Sequence, residues 1–145
     1  MTGSTLAATG LPSVSGTRAD RTAYQPGTCN IGPAEIARRR RAGHVGLLGT
    51  IILLAILVAF SAPPLARLLV ALPASTAASG YLQAALKFCA GFGSRGLFNF
   101  GPVGPTEQAL DLADRARDRA RARQIGLASL AAGVAVGIAS ALLPL

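Results

Sequence analysis

Hydrophobic and polar positions along this chain are sorted into long blocks rather than interleaved as in a soluble fold. Val45 to Ala62 (VGLLGTIILLAILVAFSA) and Ile125 to Leu145 (IGLASLAAGVAVGIASALLPL) contain no charged side chain. At about 1.5 Å per helical residue, each is long enough to cross a hydrocarbon core of roughly 30 Å. A weaker block begins at Leu65, runs to Leu82 or a little beyond, and carries Arg67 near its start. The pattern predicts an all-α integral membrane fold of three transmembrane helices, with spans at 45–62, 65–85 and 125–145.

Local signals join these blocks. Pro33 suits the first turn of a helix, and PAEIARRRRAGHVGLL reads as one helix running into the first span, with Glu35 four residues before Arg39. Pro63-Pro64 ends one helix and starts the next, so the first two spans form a tight hairpin. Tyr81 falls at the interface that closes span two. The following KFCAGFGSRGLFNFGPVGP sets Phe88, Phe92, Phe98 and Phe100 among glycines. Phe88 and Phe92 fit one helical face. Beyond Gly91 the glycines and prolines predict an irregular segment that lies on the membrane surface or packs beneath the helices. Thr106 is the expected N-cap of a last helix. In TEQALDLADRARDRARARQ the pairs Asp111 with Arg115, Asp114 with Arg117 and Asp118 with Arg121 share a face. That helix is expected to run unbroken into span three as a rod of about 60 Å.

Composition agrees with this class. With 51% hydrophobic residues and a mean hydropathy of +0.48, 145 residues offer too little polar surface to enclose a soluble core. The net charge of +8 does not point to nucleic acid, because the basic residues flank the spans. Arg38, Arg39, Arg40 and Arg41 precede span one; Lys87, Arg95 and the arginines from Arg115 to Arg123 occupy the connection 87–124. By the positive-inside rule the N-terminus and this connection are cytoplasmic and Leu145 is outside, with a cytoplasmic extension on the third helix. Near an anionic surface each arginine contributes about 1 kcal/mol. Arg38 to Arg41, Arg119 and Arg123 are therefore candidates for membrane-surface contact, and Arg67 is expected to snorkel to the outer headgroups. Residues 1–28 have neither a basic n-region nor an apolar h-region; they read as a disordered cytoplasmic tail before a single membrane domain, 29–145, whose first span is an uncleaved anchor. Thirteen arginines to one lysine, with abundant alanine, suggest a GC-rich bacterial genome and hence the inner membrane.

Candidate chemistry is sparse. Gly91-Phe92-Gly93-Ser94-Arg95-Gly96 matches G-x-G-x-x-G, but a dinucleotide site needs a preceding strand within a βαβ unit, and here a membrane helix precedes it. Cys29 and Cys89 are candidate thiol or metal ligands, and His44 a candidate cofactor ligand. A metal site wants three or four such groups, and a helix through His44 holds it roughly 15–20 Å from Cys29. No cofactor is expected. No Ser/His/Asp arrangement is available, and no carboxylate lies within a span, which disfavours catalysis and ion transport. Span three instead carries a small-residue stripe, Ser129, Gly133, Gly137 and Ala141, that lets two helix backbones approach closely. Ala74, Ala77, Ala78 and Gly80 offer a similar face on span two. These faces serve packing within the chain or docking of another polypeptide.

The run CNIGPAEIARRRRAGHVGLL, followed by GYLQAALKFCAGFG and GLFNFG, resembles a group of small bacterial three-span membrane proteins. The resemblance covers Cys29 to Leu145 and implies no activity. The expected function is non-enzymatic: an accessory or scaffolding subunit of a larger inner-membrane complex, with membrane lipids and either other subunits or further copies as partners. Two alternatives stand beside it. One is a cytoplasmic-face thiol, metal or cofactor protein using Cys29, Cys89 or His44, and the other a lipid-binding or self-associating membrane organiser.

Overall fold

The computed structural model of the chain describes residues 22–144. Three long helices dominate: α1, Pro33–Ala59; α2, Pro64–Ala85; and α4, Leu112–Leu142. All three are long and apolar enough to cross a membrane. Their large apolar side chains, among them Ile51, Ile52, Leu69, Leu72, Leu127 and Ile138, point outward. That distribution inverts the soluble pattern and is consistent with a multi-pass membrane protein. α1 ends at a bend where Ser61 takes φ 49°, and Pro64 opens α2. Within α2 the turn Leu68–Val70 is a 3-10 helix.

Helix α2 is the centre of the bundle. α1 and α4 each pack along it and make at most marginal contact with one another. Small residues permit both approaches. On α1, Gly43, Gly46 and Thr50 are buried. A Cβ on Gly46 would lie 2.5 Å from the Ala77 amide nitrogen, and one on Gly80 would meet the Gly43 backbone. On α4, Ser129, Gly133 and Gly137 are buried. A Cβ on Gly133 would meet Ser75 Oγ and lie 2.6 Å from the Ala71 carbonyl oxygen; one on Gly137 would lie 2.9 Å from Ala71 Cβ. The stripe of span three, with Ala141 half-buried at its end, is therefore occupied by α2. It is not open to another polypeptide, because the backbones already touch.

At the arginine-rich end the chain folds back beneath the helices as a cap. It contains the short helix α3, Ala90–Arg95, and a two-stranded antiparallel ribbon of β1, Leu97–Phe98, and β2, Glu107–Gln108, pairing Leu97 with Gln108 and Phe98 with Glu107. Two expectations are corrected here. The segment beyond Gly91 is not irregular from its start: α3 includes Gly91 and Gly93, and Phe88 sits before the helix, fully buried, instead of sharing a face with Phe92. Nor does Thr106 cap the last helix. β2 intervenes, and Asp111 is the N-cap, its Oδ1 accepting from the Ala113 amide at 2.8 Å. Gly96, at φ 68°, makes the left-handed turn that redirects the chain, and its carbonyl accepts from Ala109 N at 2.9 Å. α4 is therefore about 46 Å long at 1.5 Å per residue, not 60 Å, but it does run unbroken.

Candidate functional site

The cap brings together three stretches that are far apart in sequence. Asn30, fully buried, donates from Nδ2 to the Cys89 carbonyl at 3.1 Å and accepts at Oδ1 from the Cys89 amide at 2.7 Å. Its backbone N–H donates to Lys87 O, and its carbonyl accepts from Asn99 N. Gly32 N then donates to Asn99 O, so residues 30–32 lie as a strand beside 99. Gln83, at the end of α2, accepts from Ala90 N at 2.9 Å and donates to Ser79. Each of these buried polar groups is satisfied by backbone, the arrangement that rigidifies a fold.

A second tie involves residues expected to belong to the tail. Tyr24 stacks on Phe98 with centroids 4.6 Å apart and donates its hydroxyl to Asp118 Oδ2 at 2.7 Å. Asp118 Oδ1 accepts from Gly27 N at 2.7 Å. Residues 24–28 are thus docked on α4, which corrects the expected tail boundary; residues 1–21 lie outside the described part. Burial, together with the adjoining Asp118 carboxylate, pushes the Tyr24 phenol well above its ordinary range. Asp118, fully buried, thus serves the docked segment, whereas Arg121 reaches Gln124 and Arg115 donates to the Ala109 carbonyl at 2.6 Å.

The arginines expected at the membrane surface separate into three environments. Arg40 and Arg41 are exposed, as are Arg119 and Arg123, the last two lining a hollow of about 550 Å³ beside Ser94. Arg38 and Arg39 reach the buried Glu35 carboxylate at 3.5 and 3.4 Å. Arg39 also lies over the Phe92 ring, 5.7 Å from its centroid, and its Nε is buried with no hydrogen-bond partner. Arg67 departs from the snorkelling expectation. It is buried and donates to Ala62 O at 3.2 Å and Leu143 O at 3.0 Å, so it ties the α1–α2 bend to the end of α4, where carbonyls have no helical acceptor role to fill.

The thiol and imidazole candidates do not converge. α1 is continuous, so His44 stays more than two turns from Cys29; its Nδ1 meets Tyr81 Oη at 2.7 Å. Cys89 is buried, free, and accepts at Sγ from Phe92 N as the N-cap of α3. Among the described residues no group of three or more His, Cys, Asp or Glu is placed to hold a metal. The glycines of G-x-G-x-x-G sit in and after α3, and a helix, not a strand, precedes them.

Two surface features went unread in the sequence. Leu110 and Leu112 are 81% and 77% exposed. Beside them a notch of about 200 Å³ is walled by Tyr24, Phe98 and Leu110 and rimmed by Asp111 and Asp114. The second feature is a groove of about 400 Å³ over one face of α2, between α1 and α4. Neither had a local signal, since each is made by elements distant in sequence. Comparisons with protein-family models, with curated proteins and with solved structures each find no match.

Proposed function

We propose that this chain is a non-enzymatic, three-span accessory subunit of a larger bacterial inner-membrane assembly, which presents its rigid cytoplasmic cap to a segment of a partner protein. The reading is carried by Leu110 and Leu112. Exposed leucines on the spans have hydrocarbon as solvent, but Leu112 lies about 20 Å along α4 from Ile125, where the charge-free stretch begins. The five arginines from Arg115 to Arg123 lie between them. In the proposed orientation lipid does not reach these leucines, and an exposed apolar pair beside a notch suits a protein contact. Asp111 and Asp114 at its rim suit a basic residue beside the partner's apolar anchor. The polar interior of the cap supports a structural role, because Asn30, Gln83 and Asp118 direct their side chains to backbone, to Ser79 or to Tyr24. Both arginine clusters belong to the capped end of the bundle, which supports an orientation with the cap inside.

Mild-detergent extraction of the tagged protein, with mass spectrometry of what co-migrates, tests the reading. A stoichiometric partner should be present with the wild type and lost from the Leu110→Asp, Leu112→Asp double variant at equal protein level and melting temperature. A homomer alone would favour self-association, and a bound metal would favour the thiol reading. A partner retained by the double variant would remove the cap from the proposal.

A further inference from the structure

Because α1 and α4 both pack on α2 and barely meet, one face of α2 is left as the floor of a groove about 400 Å³ in volume. Ser75, Thr76, Ser79 and Gln83 form that floor, Arg39 stands at its mouth, and Leu130 closes the far side. From Gln83 to Ser75 is about 12 Å along the helix. The hydroxyls make few demands on an occupant: Ser75 donates to Ala71 O at 2.8 Å, Thr76 to Leu72 O at 3.2 Å and Ser129 to Ile125 O at 2.7 Å, while Ser79 Oγ accepts from Gln83 Nε2 at 2.8 Å. Down its length, therefore, the groove suits hydrocarbon.

The mouth has different chemistry. Arg39 has five N–H donors, and one of them reaches Glu35 at a long 3.4 Å. Phe92 lies near the guanidinium, its ring centroid 5.7 Å from Cζ, and the Arg39 side chain keeps 21% of its surface exposed. Arg39 lies six residues before Val45, about 9 Å from the start of the charge-free stretch, which is headgroup depth. We propose that the groove binds one anionic phospholipid, its phosphate held by Arg39 and one acyl chain laid along Ser79, Ser75 and Leu130. Guanidinium recognises phosphate through paired donors, and Arg38, on the same Glu35 carboxylate as Arg39, adds positive charge that favours a headgroup of net negative charge. This site is separate from the Leu110 patch and does not rest on it.

The test uses the full chain in bilayer discs of phosphatidylcholine and phosphatidylglycerol in equal amounts, with native mass spectrometry to count retained lipid. Wild type and Arg40→Gln should each retain one phosphatidylglycerol. Arg39→Gln should retain at least tenfold less, and so should Ala42→Phe, which fills the groove from its exposed wall without altering charge. Excess inorganic phosphate should leave the lipid in place. Equal retention by Arg39→Gln and Arg40→Gln, or equal retention of phosphatidylcholine, would overturn the proposal. So would displacement by free phosphate, or a polypeptide that occupies the groove and is expelled by Ala42→Phe. If Arg39→Gln does not fold, Ala42→Phe decides alone.

Discussion

Asn30→Ala, made in a Cys29→Ser background, measures what holds the cap shut. Asn30 is the side chain that closes residues 29–32 onto α3, 59 residues away, through both backbone groups of Cys89. Removing it orphans the buried Cys89 amide, at about 1–3 kcal/mol. The Cys89 carbonyl loses one bond but keeps the Gly93 N–H at 2.9 Å, which adds about 1 kcal/mol. Local opening should therefore become easier by roughly 2–4 kcal/mol. Cys89, 1% exposed, is then the sole thiol and reports opening directly through its rate of maleimide labelling. At 1.4 kcal/mol per tenfold, the rate should rise about 30- to 1,000-fold. The three long helices should remain in the membrane, since none of their apolar faces is touched. A rate within threefold of the parent would show that the Asn30 bonds do not hold the cap, and the argument from buried polar satisfaction would fail.

Gly133→Ala should lower the melting temperature in detergent, by the equivalent of at least about 1–3 kcal/mol of overpacking, because its Cβ meets Ser75 and the Ala71 carbonyl. Gly126→Ala, with open space around it, should be neutral or stabilising by about 0.5–1 kcal/mol; equal effects would refute the assigned α2–α4 contact. The raised phenol of Tyr24 has a defined sign: its stabilisation is complete below the unfolded value of about 10 and declines as pH rises beyond it, because only the unfolded chain then releases the proton. The melting-temperature gap between wild type and Tyr24→Phe should accordingly narrow above about pH 10, and a constant gap across that range would exclude the linkage. For orientation, a reporter active only in the periplasm should work when fused at the C-terminus and stay silent when fused at residue 100; the reverse pattern would invert the proposed topology.

What the sequence determined by itself is the local part of this protein. Two charge-free blocks and a weaker third one specified three helices, since a segment in hydrocarbon must satisfy its backbone internally and its composition alone selects that outcome. Pro63-Pro64 placed the bend, and the spacing of Ser129, Gly133 and Gly137 marked a face that admits close approach. The matching face on α1, Gly43, Gly46 and Thr50, was equally present at helical spacing. Periodicity reports that a face exists but not what covers it, so only the folded chain assigned both faces to α2. The cap lay further from reach. Asn30 with Cys89, Tyr24 with Asp118 at 94 residues' separation, and Arg67 with Leu143 each join groups whose neighbours in sequence say nothing of the pairing. The start of α4 shows the same limit. Thr106 and Asp111 are both competent caps by residue type, and the choice fell to Asp111 because β2 had already committed Glu107 and Gln108 to pairing with Phe98 and Leu97.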